Sequence, residues 1–259
     1  MSDPVYFERD GFIATVVLNN PEKLNALSFA MWMRLGEIVR ELEADDGVRC
    51  IVLRGAGEQA FAAGADISEF EKTRANARVA KDYGDKIEGT MRAVAECRHP
   101  TVAMIHGACV GGGLEIASQC DLRICGASSR FGIPINKLGL VVGYGEMHAL
   151  IDLVGRATAL EILLEGRVFG AEEAKDKGLV NRVVADDQVE AEALATAARI
   201  AAGAPLVARW HKKFARRLAD PRPLTDAERD EGYACFDTED YRTGFKAFLA
   251  KQKPQFKGK

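Results

Sequence analysis

The stretch His106-Gly107-Ala108-Cys109-Val110-Gly111-Gly112-Gly113-Leu114-Glu115 decides how this chain is read. Before it stands Pro100-Thr101-Val102-Ala103-Met104-Ile105, a short apolar, β-branched run opened by a proline, which predicts a buried strand. After the three consecutive glycines, Leu114-Glu115-Ile116-Ala117-Ser118 predicts a helix. Glycines let the backbone approach a ligand closely, and the first N–H groups of a helix have no intrahelical partner. Those donors, with the positive end of the helix dipole, favour an oxygen that is gaining negative charge. Glu115 follows Gly112 by one turn, so its side chain shares a face with that donor. A preorganised oxyanion donor is worth about 10²–10³ in rate, and a positioned acid or base about 10²–10⁴. The same run also suits a plain close crossing of strand and helix, with Glu115 as ordinary first-turn chemistry.

A second glycine turn favours the functional reading. Cys50-Ile51-Val52-Leu53-Arg54-Gly55 predicts another buried strand, followed by Phe61-Ala62-Ala63-Gly64-Ala65-Asp66-Ile67, small residues around a glycine before a helical pattern. Two donor turns suit the clamping of one oxygen. Asp66 is expected to hold its loop through a local side-chain bond.

Phe61–Ile67 and Gly111-Gly112-Gly113-Leu114-Glu115 resemble the paired oxyanion-hole motifs of the crotonase, or enoyl-CoA hydratase/isomerase, superfamily. Further motifs stand in the family's order: Asn20-Pro21-Glu22-Lys23-Leu24-Asn25-Ala26-Leu27, Cys120-Asp121-Leu122-Arg123, Arg130-Phe131-Gly132-Ile133-Pro134, Ala174–Val180 and Gly244–Phe256. The resemblance covers nearly the whole chain. It implies an α/β fold with a β-β-α spiral core and a helical C-terminal trimerisation region. The implied parts are residues 1–195 for the core with its acyl-CoA site and 196–259 for oligomerisation and pocket cover.

The resemblance also implies roles. The N–H groups of Ala65 and Gly112 would hold the thioester carbonyl oxygen and stabilise an enolate, with Glu115 as acid/base. Lys23, Leu24, Ala26, Ala63, Asp66, Ile67, Gly111, Ile135 and Lys251 would line the substrate or CoA site. CoA is then part of the substrate, with no separate cofactor and no metal. The partner expected is an acyl-CoA thioester, and the assembly a homotrimer or a dimer of trimers.

One departure bears on the reaction. A second glutamate normally follows the Phe-Gly-x-Pro segment, and here Phe131-Gly132-Ile133-Pro134 is followed by Ile135. Isoleucine transfers no proton, so hydration must rely on Glu115 with water or recruit another group. Three readings follow: an enoyl-CoA hydratase acting through Glu115; an isomerase or acyl-CoA decarboxylase using the same oxyanion hole; or a non-catalytic CoA-ester-binding protein. Glu146 and His148 are candidate replacements, since both follow a glycine turn, although a carboxylate at a helix start is also ordinary dipole chemistry. Asn136 and Tyr144 are positioned to orient a substrate rather than move a proton. His106, at a strand end, is read as structural.

Composition agrees with an enzyme of this kind. The 259 residues are 47% hydrophobic, enough for a sizeable core. No run reaches the roughly 20 apolar residues of a bilayer span. The acidic start Met1–Asp10 lacks the form of a signal peptide, so a cytoplasmic location is expected. The six cysteines contain no Cys-x-x-Cys pair and are read as free thiols. A net charge of −3 gives no pull toward nucleic acid. Along the chain, a strand at Phe12–Leu18, a helix capped by Ser28, the two strands above and a polar helical stretch from Ile67 to Arg98 alternate as α/β layering. Helices dominate after Gly155. Ala219–Leu224 breaks two of them, and Thr225–Glu228 has the form of a capping box. The five lysines after position 245 are read mainly as solvated, on a frayed end docked by Phe248 and Phe256.

Overall fold

In the computed structural model, which describes residues 3–259, the chain opens with an antiparallel hairpin, β1 (Val5–Asp10) and β2 (Ile13–Leu18). Helix α1 (Phe29–Ala44) begins at Ser28, whose hydroxyl accepts from Met31 N at 3.3 Å. There follow β3 (Cys50–Gly55), β4 (Ala60–Ala62), α2 (Phe70–Thr73), α3 (Ala77–Glu96), β5 (Thr101–Ile105), β6 (Ala108–Val110), α4 (Gly112–Gln119), β7 (Leu122–Gly126) and β8 (Arg130–Gly132). The remainder is α5 (Tyr144–Glu165), β9 (Phe169–Gly170), α6 (Ala171–Asp176), β10 (Arg182–Val184), α7 (Val189–Ala201), α8 (Pro205–Leu218), α9 (Asp226–Glu231) and α10 (Glu239–Leu249).

The strands form two sheets, ordered β1-β2-β3-β5-β7-β10 and β4-β6-β8-β9. Pairing is parallel from β2 through β10 in the first and along β4-β6-β8 in the second. The windings that start at β3, β5 and β7 each give one strand to the large sheet, a three-residue strand to the small sheet, and then helix. This is the β-β-α spiral. The second sheet is absent from the sequence reading, because three residues are too few to display an alternation. The acidic opening segment likewise conceals β1.

Both faces of the central strands β3 and β5 are buried, which is why they read as continuous apolar runs. In β3, Ile51 and Leu53 enter the main core with Trp32, Leu35 and Ile38 of α1, while Cys50 and Val52 face α7. In β5, Ala103 and Ile105 join the main core, and Val102 and Met104 meet Val189, Ala193 and Ala197 of α7. Position 195 falls inside α7, a helix packed on the sheet.

Helix α5 begins at Tyr144, well before Gly155, where φ of 75° breaks it. Thr225 and Glu228 form the capping box in full. The end of the chain is docked rather than frayed. Buried Asp240 accepts from Lys257 N at 2.7 Å and Gly258 N at 2.8 Å, and Arg49 donates to the Phe256 carbonyl at 2.7 Å. Phe256 packs against Gly244, whereas Phe248 stays exposed. Among the described residues, no single helix is long and apolar enough to cross a membrane, and no group of His, Cys, Asp or Glu has metal-ligand placement.

Candidate active site

Both donor turns leave the small sheet at the same edge. After β4, Gly64 takes φ of 110°, a region open to glycine alone among common residues, and turns the chain toward Leu27. Leu27 N donates to Gly64 O at 2.8 Å and Asp66 N donates to Leu27 O at 2.9 Å. In such a parallel bridge the groups of the intervening residue face the other way, so Ala65 N is turned away from Leu27. After β6, Gly111 N donates to Gly132 O at 2.8 Å, and Gly112 begins α4 with its own N–H outside the helix ladder. The helix therefore starts two residues before the Leu114 expected. A Cβ on Gly113 would collide with the Ala62 carbonyl, so the two windings touch backbone to backbone here. The donors are neighbours: a Cβ on Gly112 would lie 3.6 Å from Ala65 N.

Glu115 stands on the first turn of α4 and is half-buried. Burial pushes its carboxyl up to about 7, the negative charge of Glu146 adds to the rise, and the Arg74 guanidinium opposes it. No hydrogen-bond donor offsets the shift among the described residues. Such a carboxyl is divided between acid and base near neutrality, as proton transfer requires. Arg74 is held with its guanidinium carbon 4.2 Å from the Phe70 ring centre and 5.1 Å from that of Tyr83. The indole of Trp32 packs on Gly112, and its buried Nε1 has no partner among the described residues. Trp32, Arg74 and Tyr83 escape the sequence reading: one reads as core, and the others sit in a polar helical stretch with no chemical spacing.

The N-terminal loop closes against the first donor turn. Lys23 Nζ meets Asp66 Oδ2 at 2.8 Å, and Asp66 Oδ1 accepts from Ser68 N at 3.0 Å, the local bond expected of it. The Lys23 bond and then the Ser68 bonds hold the Asp66 carboxyl down at about 2. Leu24, at φ of 52°, accepts from Ala63 N through its carbonyl, and Ala26 accepts from the Asn20 side chain. Buried Asn25 ties this loop to β4, donating to Ala56 O and Ala60 O at 3.0 and 2.8 Å. Ala63 and Ile67 are exposed beside the turn.

The other candidates separate. Ile135 is half-buried against the main core. Glu146, on the first turn of α5, folds back over Gly143 and bears on Glu115. His148 is exposed and pairs with Asp152 at 3.0 Å, while Tyr144 is almost fully exposed. Asn136 donates to Leu164 O at 2.9 Å, bracing the end of α5. His106 is buried with Nε2 unpartnered, and burial lowers its pKa. Lys251 is exposed on the C-terminal tail, whose following residues pack beside Arg49 and Asp240, and this chain alone does not bring it to the donor turns.

The fold is that of the crotonase superfamily. The family model for enoyl-CoA hydratase/isomerase matches residues 8–259, and the chain belongs to that family. A relative named probable enoyl-CoA hydratase, from Rhizobium meliloti, is 37% identical over 255 residues, covering 96% of each chain. The short-chain-enoyl-CoA hydratase of Clostridium acetobutylicum is 34% identical, covering 96% of this chain and 95% of its own. A crystal structure described as an enoyl-CoA hydratase/carnithine racemase from Magnetospirillum magneticum is 50% identical, with a TM-score of 0.98 over 100% of this chain and 97% of that one.

Proposed function

We propose that this protein hydrates a 2-enoyl-CoA through a thioester enolate. One observation carries the reading: the N–H groups of Ala65 and Gly112 lie side by side, without a protein acceptor among the described residues, one helical turn from the Glu115 carboxyl. In this reading the thioester oxygen sits between the two donors. Water attacks the β carbon, the π electrons move onto that oxygen as the enolate forms, and Glu115 gives a proton to the α carbon. The donors act most strongly on the enolate because its oxygen carries the most charge. Lys23, Leu24, Ala26, Ala63, Asp66, Ile67, Gly111 and Ile135 would border the acyl-CoA, with Lys251 as a candidate contact to CoA.

Exposed Tyr233, Phe236, Tyr241, Phe245 and Phe248 in the C-terminal helical region support a homotrimer or dimer of trimers, since an apolar surface of this kind favours association. A cytoplasmic location fits an enzyme of CoA thioesters.

The test is incubation of the purified protein with crotonyl-CoA and a panel of longer, branched and β,γ-unsaturated acyl-CoAs. Loss of enoyl-thioester absorbance and product mass are followed. Gain of one water is expected. Isomer or carbon dioxide without hydration replaces the reading with an isomerase or decarboxylase, and tight binding without any turnover replaces it with a CoA-ester-binding role.

A further inference from the structure

Hydration moves two protons: water loses one as its oxygen attacks the β carbon, and the α carbon gains one. Position 135 offers no group for either transfer, because Ile135 packs against the apolar core. A second carboxyl is nevertheless at hand. Helix α5 packs on α4, and Glu146 stands on the first turn of α5 as Glu115 does on the first turn of α4. Glu146 is half-buried, folded back over Gly143, and close enough for its charge to act on Glu115.

This pair is more than an acidic surface. The Ala65 and Gly112 N–H groups, from two adjacent turns, lie beside it, and the Trp32 indole, whose Cζ2 packs on Gly112, has a buried Nε1 without a partner among the described residues. Arg74, fixed over Phe70 and Tyr83, supplies a cation whose charge acts on Glu115 against that of Glu146. From this cluster we infer that Glu146 is the second proton-transfer group, serving the water while Glu115 serves the α carbon.

The assignment rests on the hydratase reading above. The Glu146 carboxylate takes a proton from water as the water oxygen bonds to the β carbon. The α,β π pair shifts into the enolate held by Ala65 and Gly112, and the Glu115 carboxyl then protonates the α carbon. Glu146 is left protonated and Glu115 ionised, and transfer of a proton between the two carboxyls restores the starting state. This is the division of labour expected of two carboxyls in unlike surroundings.

The experiment compares wild type, Glu146→Gln and the double variant Glu146→Gln/Ile135→Glu in hydration of crotonyl-CoA, with kcat, KM and the pH profile of each. Glu146→Gln is expected to lower kcat by about 10²–10⁴, as loss of a positioned acid or base does. Its KM should move by less than about threefold, since the lost interaction belongs to the transition state. The limb of the pH profile due to Glu115 should shift to lower pH, because the neighbouring like charge is gone. The double variant, with a carboxyl restored at position 135, should recover about tenfold or more of that loss. Wild-type kcat in Glu146→Gln, or a slow variant with an unmoved pH limb, overturns the assignment and leaves the hydratase reading standing. Wild type that hydrates no enoyl-CoA overturns the hydratase reading and the assignment with it.

Discussion

Lys23 Nζ lies 2.8 Å from Asp66 Oδ2, so that an ion pair joins the N-terminal loop to the first donor turn across 43 residues of sequence. The Lys23 side chain is about half exposed and the pair contributes little to folding. Lys23→Ala is therefore expected to leave the melting temperature nearly unchanged while raising KM for an acyl-CoA. KM for the matching acyl-pantetheine thioester, which lacks the nucleotide phosphates, should rise much less. Equal effects on the two substrates would remove Lys23 from CoA recognition and leave it as a loop clasp.

Glu115→Gln keeps the shape of the side chain and deletes its proton chemistry. Turnover is expected to fall by about 10²–10⁴. Acyl-CoA affinity, measured by titration calorimetry, should stay within about threefold of wild type, because the amide fills the same space. Undiminished turnover would exclude Glu115 as the acid/base.

The same substitution has a pH-dependent effect on stability. With burial pushing its folded pKa from the ordinary glutamate range, about 4.5, up to about 7, Glu115 binds its proton more tightly in the native state than in the unfolded chain. Its carboxyl therefore costs nothing at pH 4. The cost grows as pH rises from about 4.5 to about 7, and is complete above that range. Glu115→Gln should match wild type at pH 4 and exceed it at pH 8, by an amount on the order of 3 kcal/mol. Denaturant unfolding at the two pH values measures the difference, and an equal gap at both would place the cause outside the titration.

Asp240 is 3% exposed and accepts both Lys257 N and Gly258 N. Asp240→Ala deletes two charge-assisted hydrogen bonds, each worth about 1.5–3 kcal/mol in a buried setting. The expected result is a lower melting temperature, with protease cleavage beginning after residue 250. Limited proteolysis read by mass spectrometry checks it, and a tail as resistant as in wild type would show that Phe256 and Arg49 suffice to hold it.

What the sequence discloses follows the length scale of each signal. Strands β3 and β5 declare themselves because both faces are buried and every position from Cys50 to Leu53 or Thr101 to Ile105 is apolar or small. Ser28 and Thr225 declare their helices through cap chemistry that is local to a few residues. The four-stranded sheet is silent because its strands are two or three residues long and are defined by pairing across windings. The donor turns at Gly64 and Gly111 are legible because only glycine suits them. The surroundings of Glu115 are not, since Arg74, just past α2, and Glu146, at the start of α5, act on it from separate segments with no common spacing. Likewise, Asp240 gives no hint that it secures a segment 17 residues further on.

Ala65 N belongs to one winding of the spiral and Gly112 N to the next, with Gly113 pressed against Ala62 at the seam. The proposed oxygen-binding cleft would therefore be a property of stacking, not of either turn. On the proposed reading, a half-folded chain with only the first winding in place presents one of the two donors and lacks Glu115, and so would have no means of activating a thioester before the second winding has closed on it.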